Sequence, residues 1–185
     1  MLELIVTGEE KYDEETNTFK PALEPHKLKL EHSLLSVAKW EEIYHKPFLS
    51  TELNYELIKS YIRCMTINPV PDKVYDYINA DHINAVTDYI KDTHTATTIG
   101  NAKNELPYQN GTMNGEKVTA EIVYFWMISY QIPVEFQKWH FNRLLMLIKV
   151  ISIKNDPKGN NSPKMTPAER RALNKLRQAK YHTRG

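Results

Sequence analysis

The spacing of apolar residues changes near residue 33, and this change limits the folds that the chain can adopt. Before it, Leu2, Leu4 and Val6 alternate with other residues, and a second alternating stretch follows at residues 28–30. Alternation is typical of strands with one buried face. After it, apolar residues recur at the spacing of amphipathic helices. The sequence therefore predicts a mainly α fold with a short N-terminal β-hairpin at about residues 1–30.

The tip of this hairpin is predicted at residues 13–17, where Asp and Asn tolerate the backbone angles of tight turns. Pro21 and Pro25 lie in the returning arm. Proline cannot donate a hydrogen bond to a neighbouring strand, so an unbroken inner strand is not expected there.

Two amphipathic helices are predicted next. The first begins at Ser33 and stops at Pro47, and the second follows Ser50 or Thr51 and ends before Asn68, which precedes a proline. The second helix has an apolar stripe that buries one side.

Two short helices are predicted at residues 72–78 and 81–91, each with an aspartate placed to cap its free N–H groups. Residues 93–115 show little apolar periodicity. They are predicted to form a long connection that is mobile or depends on a partner.

The most apolar helices are predicted at about residues 116–131 and 133–153, separated at Pro133, which suits the first turn of a new helix. Both are apolar on nearly every side. Such helices lie at the centre of a bundle, or they bury one side in the core and another against a partner.

Charge is distributed unevenly along the chain. The whole sequence has 24 basic and 23 acidic residues, but residues 154–185 hold nine basic and two acidic ones, which leaves a net charge of −6 on residues 1–153. We therefore predict two parts: a mainly helical domain at 1–153, and a segment at 154–185 with a flexible linker at 156–163 and a basic C-terminal helix. Thr166, Pro167 and Glu169 are typical of a helix start.

The sequence lacks the residue patterns that are typical of several kinds of chemical site. The histidines and Cys64 show no short paired spacing for a metal, and Cys64 lies in a predicted helix where cysteine is usually a buried filler. No glycine-rich phosphate loop is present. We therefore expect no catalytic residues, no cofactor and no metal. The longest apolar run and the first residues resemble neither a membrane span nor a signal peptide, so we expect a cytosolic protein.

Partner binding is the remaining function class that the residues suggest. The apolar helices carry a concentration of aromatic residues, which either belong to the core or form a binding surface. The basic segment has three open interpretations: a helix that docks on a partner or on the chain itself, a solvated tail, or an arm that binds nucleic acid. The negative charge of residues 1–153 disfavours the nucleic-acid interpretation. The candidate partner-binding residues are Tyr124, Trp126, Trp139, Phe141, Arg143, Leu144, Arg170, Arg171, Arg177 and Lys180.

Eight segments of the chain are familiar in this order. They are residues 12–19 (YDEETNTF), 30–40 (LEHSLLSVAKW), 46–49 (KPFL), 61–66 (YIRCMT), 95–98 (TATT), 121–127 (EIVYFWM), 138–145 (KWHFNRLL) and 180–185 (KYHTRG). Together they resemble a family of small proteins from long-tailed, siphovirus-type bacteriophages that is associated with tail assembly chaperones.

This resemblance implies a viral protein of virion assembly that acts through protein–protein interaction. Chaperones of this class hold the long, largely helical tape measure protein soluble while tail-tube subunits gather around it, and they have no catalytic residues to transfer. The implied partners are the tape measure protein or other tail and neck proteins, with possible self-association, and the implied location is the cytoplasm of the infected bacterial host.

A virion structural protein is the competing hypothesis. A neck, connector or tail component retained in the particle would need the same basic arm, threaded between subunits. The two hypotheses differ in location, because a chaperone is absent from purified virions and a connector is present in a small constant copy number.

Overall fold

The computed structural model describes residues 1–15, 17–97, 111–113, 116–155 and 167–181, and it confirms a mainly α fold. The α-helices in these residues are α1 (Leu34–Tyr44), α2 (Tyr55–Met65), α3 (Ala80–Lys91), α4 (Ala120–Ser129), α5 (Phe141–Asn155) and α6 (Pro167–Tyr181). None of these helices combines the length and apolar character that crossing a membrane requires.

The chain divides into two compact units, Met1–Val150 and Ile151–Gly185. The predicted linker at residues 156–163 lies outside the described residues, as does the capping residue Thr166. The domain boundary after residue 153 therefore stays a prediction.

The N-terminal hairpin is present and has two ladders. Strand β1 (Leu2–Val6) pairs antiparallel with β4 (His26–Leu30), and β2 (Glu10–Asp13) pairs with β3 (Thr18–Pro21) around the predicted tip. The two ladders meet at Gly8, whose N–H donates to the carbonyl of Leu23 (3.0 Å). A Cβ atom at this glycine would lie 2.4 Å from the backbone nitrogen of Leu23, so the close approach of the two arms requires glycine.

The inner side of the β1–β4 ladder contributes to the core. Leu4, Val6, Leu28 and Leu30 are buried, as their alternation predicts. They pack in one cluster with the large buried side chains of α1 and α2 and with those of α4 and α5.

Helix α1 begins where the sequence predicts. The Ser33 side chain accepts a hydrogen bond from the N–H of Ser36, and the Ser36 hydroxyl accepts one from the N–H of Ser33. This reciprocal pair satisfies two free N–H groups at the start of the helix. Trp40 of α1 is fully buried and donates to the hydroxyl of Ser60 on α2 (3.2 Å).

Helix α2 begins later than predicted. Residues Phe48–Ser50 form a short 3₁₀ helix, and the α-helix starts at Tyr55 because the Asn54 side chain accepts from the N–H of Leu57 (2.9 Å). The predicted start after Ser50 or Thr51 is therefore wrong. Asn54 is the better cap because its side-chain oxygen reaches the third residue of the helix.

The two short helices also differ from their prediction. Asp72–Tyr77 is a 3₁₀ helix with no side-chain cap, and α3 is capped by Asn79, whose side chain accepts from the N–H of His82 (3.0 Å). The aspartate predicted as the cap, Asp81, lies inside the first turn. There its negative charge still interacts favourably with the positive end of the helix dipole.

The two apolar helices are shorter than predicted. Glu116–Lys117 is a strand (β6) paired with Thr112–Met113 (β5), and α4 starts only at Ala120. Gly111 precedes this ladder at a φ of 60°, a backbone conformation that favours glycine. The ladder then occupies the backbone groups that a longer helix would have used.

Residues after Pro133 do not continue as an α-helix. Val134–Lys138 forms a 3₁₀ helix, and α5 begins at Phe141, whose N–H donates to the carbonyl of His32 (2.8 Å). This long-range bond, together with a bridge between Ser33 and His140, sets the start of α5. Local periodicity carries no signal for either contact.

The second unit contains α6. Its described side chains are exposed except for the half-buried Leu173, and Leu176 is 68% exposed.

Candidate functional site

Helix α4 is anchored at its N-terminus by a buried carboxylate. Glu41 of α1 accepts from the N–H of Phe48 through Oε1 and from the N–H of Ala120 through Oε2, both at 2.7 Å. Burial raises the pKa of Glu41, and the two N–H bonds act against that rise. The carboxylate therefore holds α1, the 3₁₀ helix at Phe48–Ser50 and α4 together at one point.

One side of α4 belongs to the core and the opposite side does not. Ala120, Val123 and Met127 are buried, whereas Phe125 is 64% and Ile128 is 77% exposed. Residues three and four positions apart are neighbours on a helix, so Glu121, Tyr124, Phe125 and Ile128 share one side, which we call the α4 face. The Tyr124 hydroxyl donates to Oε1 of Gln137 (2.9 Å) at its border.

The α4 face is suited to binding apolar side chains of another protein. A single exposed apolar residue is ordinary, and two large ones that neighbour each other on a helix make the α4 face a candidate interaction surface. The sequence predicts Tyr124 and Trp126 as partner-binding and misses Phe125 and Ile128. Their signal is the apolar character of this helix on all sides, which the sequence assigns either to the core or to a surface that a partner covers.

Trp126 and Trp139 are both half-buried. The ring of Trp139 stacks on that of Phe136 with centroids 4.0 Å apart and an interplanar angle of 15°. The guanidinium of Arg143 lies 4.3 Å from the Trp139 ring centroid. The structure thus brings together two of the predicted partner-binding residues, Trp139 and Arg143, in a cation–π contact.

Phe141 and Leu144 belong to the core. They are 1% and 0% exposed, and both pack in the main hydrophobic cluster. A side chain buried in this way contacts a partner only if its helix moves. Both residues therefore leave the candidate partner-binding set, because α5 turns them inward and leaves Arg143 exposed.

The predicted basic residues lie on α6. Arg170, Arg171 and Arg177 are exposed, and the side chain of Lys180 lies outside the described residues. All four positions fall within one helix of the second unit, Pro167–Tyr181.

Three histidines from distant parts of the sequence meet in the first unit. The ring centroid of His140 lies 4.0 Å from that of His94 and 5.0 Å from that of His32. The three histidines line a cavity of about 230 Å³ together with Tyr89 and Trp139, and we call this cavity the imidazole pocket. Sequence reasoning misses it because residues 32, 94 and 140 share no motif spacing.

Burial keeps two of these rings neutral at pH 7. His32 is fully buried, its Nδ1 lies 2.6 Å from the Tyr61 hydroxyl, and burial lowers its pKa well below the usual range. Burial lowers the pKa of His140 to about 4, and the charge of His94 contributes less to this fall. The hydrogen bond from His140 to the Tyr89 carbonyl acts against it. Nε2 of His94 lies 3.8 Å from the Asp92 carboxylate.

The described residues do not bring together three or more His, Cys, Asp or Glu side chains in a geometry that could hold a metal ion. Cys64 is half-buried, and burial raises the pKa of its thiol, which disfavours the reactive thiolate. The α4 face and the imidazole pocket are therefore the two surfaces that carry candidate functions.

Comparison of the chain with models of protein families, with curated proteins and with solved structures found no match.

Proposed function

We propose that this protein is a non-catalytic assembly factor that binds the tape measure protein of a long-tailed bacteriophage during tail morphogenesis. One observation of the structure supports it: the α4 face presents Phe125 and Ile128, 64% and 77% exposed, on a helix whose other side is held in the core. An amphipathic helical client can lay its apolar side on such a surface. The bacteriophage client itself is suggested by the sequence resemblance.

The basic helix α6 is the second element of this proposal. We regard it as a C-terminal extension that docks on an acidic client or on a neighbouring copy. Arg170, Arg171 and Arg177 supply charge, and Leu173 and Leu176 supply a narrow apolar strip. A helix with so few apolar anchors gains stability mainly by docking.

Co-expression with the tape measure protein of the same phage tests this function. Replacing Phe125 and Ile128 with Gln should lower the amount of soluble client that co-purifies about tenfold or more, because the apolar contact is lost. Ile43→Gln on α1 is the matched control, since Ile43 is 63% exposed and lies on another helix. Equal client recovery with the double variant and with the wild type would refute the role of the α4 face.

Quantitative mass spectrometry of purified particles beside the infected-cell lysate tests the class of protein. An assembly factor is found in the lysate and is absent from particles. A constant small copy number in particles would contradict the assembly-factor proposal and support a neck, connector or tail component that is retained in the virion.

A further inference from the structure

His140, which lines the imidazole pocket, has a buried ring nitrogen that finds no partner among the described residues. Nε2 of His140 lies 3.1 Å from the carbonyl oxygen of Tyr89, and because a carbonyl only accepts hydrogen bonds, Nε2 carries the ring hydrogen. Nδ1 is then a bare acceptor. It is buried and finds no hydrogen-bond partner within the described part of the chain. A buried acceptor left without a donor costs free energy, and protonation of the ring converts this atom into a donor.

Two cationic side chains line the same pocket. Neither Lys138 nor Arg143 forms an ion pair with a carboxylate among residues 1–15, 17–97, 111–113, 116–155 and 167–181. Arg143 is positioned by its contact with the Trp139 ring. The lining includes one carboxylate, that of Glu31, so positive charge prevails at the rim.

Arg63 shows how an arginine in a similar setting is neutralised. Its guanidinium lies 4.7 Å from the Tyr75 ring centroid, as that of Arg143 does over Trp139, but it also pairs with Asp72 at 3.4 Å. Arg143 has the aromatic contact, and no carboxylate of the described residues forms an ion pair with it. A ligand carboxylate would pair with Arg143 as Asp72 pairs with Arg63.

An apolar trough adjoins the pocket and narrows the class of ligand. It has a volume of about 330 Å³, shares Trp139 and Arg143 with the pocket, and is otherwise lined by Thr95, Thr97, Met146, Leu147 and Val150. A free inorganic anion has no group to place there. A peptide with an acidic and an apolar side chain fills both spaces.

We propose that the imidazole pocket and the adjoining trough bind a peptide segment of a partner protein, with an acidic side chain in the pocket and an apolar side chain in the trough. Arg143 and Lys138 pair with the carboxylate, and Met146, Leu147 and Val150 receive the apolar group. This site is separate from the α4 face. It does not depend on the partner being a tape measure protein.

Binding at this site favours protonation of His140. The neutral ring has no hydrogen at Nδ1 to donate, and it gains one, together with a positive charge, when it accepts a proton from solvent. The charge of the carboxylate stabilises the resulting imidazolium. The titratable and charged groups around His140 are His32, Tyr89, His94, Asp92, Glu31, Lys138, Arg143 and the amino group of Met1.

Nuclear magnetic resonance of the histidine ring signals of the full chain tests the proposal. The probes are acetyl-Glu-Leu-amide, the matched neutral acetyl-Gln-Leu-amide, and inorganic phosphate. We expect the Glu peptide to shift the His94 and His140 signals and to saturate, with a dissociation constant about tenfold lower than that of the Gln peptide. That constant should fall further between pH 7.5 and pH 5.5, where the peptide carboxylate stays ionised.

Two variants test where the peptide binds. Arg143→Gln should weaken the Glu peptide about tenfold, whereas the matched Arg63→Gln should leave its affinity unchanged. Unchanged circular dichroism and urea unfolding of the free variants show that both are folded. Equal affinity for the two peptides, tighter binding of phosphate than of the Glu peptide, or an affinity that does not change with pH would each overturn the proposal.

Discussion

The carboxylate of Glu41 accepts hydrogen bonds from two backbone segments that are far apart in the sequence. At the residue scale it is the clearest polar contribution to stability. The sequence does not predict this role, because a glutamate on an amphipathic helix is usually solvated. Burial at this position follows from where α4 starts, which is a tertiary property.

Replacing Glu41 with Gln should destabilise the protein by about 1–3 kcal/mol. A Gln side chain has one oxygen to accept with, so its NH₂ group would face an N–H donor. Chemical denaturation measures the free energy of unfolding, and Glu42→Gln, an exposed neighbour, is the control. A loss as small as that of the control would mean that the two hydrogen bonds contribute nothing net.

Acid should weaken the fold through His140. Its pKa is lowered to about 4 in the folded chain, against about 6.5 when unfolded. The unfolded chain therefore binds the proton more readily, and stability is complete above about pH 6.5 and is lost as pH falls toward 4. The part of this loss due to His140 between pH 7 and pH 5 is about 1–2 kcal/mol, allowing for partial solvent access.

Unfolding by urea at pH 7 and at pH 5 checks this value. His140→Gln keeps a donor for the Tyr89 carbonyl and removes the titration, so its stability should change less between the two pH values. The raised pKa of Glu41 works in the opposite direction in both proteins and cancels in the comparison. Identical pH dependence of the variant and the wild type would contradict the role of His140.

At the scale of elements, the sequence predicts what is local. The hairpin, the start of α1 at Ser33 and the existence of α2 and α3 follow from alternation, helical spacing and turn residues. The starts of α4 and α5 do not, since they depend on Glu41 and on the carbonyl of His32. The candidate site divides in the same way: Trp139 and Arg143 are predicted, and the three histidines that meet in space are not.

Helix α3 offers a test of which residue is its cap. Asn79→Ala should cost about 1 kcal/mol because it removes the hydrogen bond to the N–H of His82. Asp81→Ala should cost a few tenths of a kcal/mol, since Asp81 acts only on the helix dipole. Thermal or chemical unfolding of both variants gives the order. The reverse order would restore the capping role that the sequence predicts for Asp81.

At the scale of the whole molecule, the opposite charges of residues 1–153 and 154–185 predict salt-dependent association. Replacing Arg170, Arg171, Arg177 and Lys180 with Gln should weaken binding to the proposed client or to a second copy. Thermal unfolding should stay nearly unchanged, because the described side chains of α6 are largely exposed. The association constant of the wild type should fall between 50 and about 300 mM salt. Analytical ultracentrifugation measures this constant. An association constant that does not change with salt concentration would exclude electrostatic docking.

The bridge between Ser33 and His140 joins residues about 107 positions apart and has a consequence for synthesis. A ribosome delivers the chain from its amino end, so the hairpin and α1 to α3 emerge long before α5 can cover them. Until then, His32 lacks its contacts with His140 and Phe141, and the Glu41 carboxylate lacks the N–H of Ala120. The nascent chain therefore completes its core late, after α5 has been made, and an amino-terminal fragment that ends before α4 would be prone to aggregate.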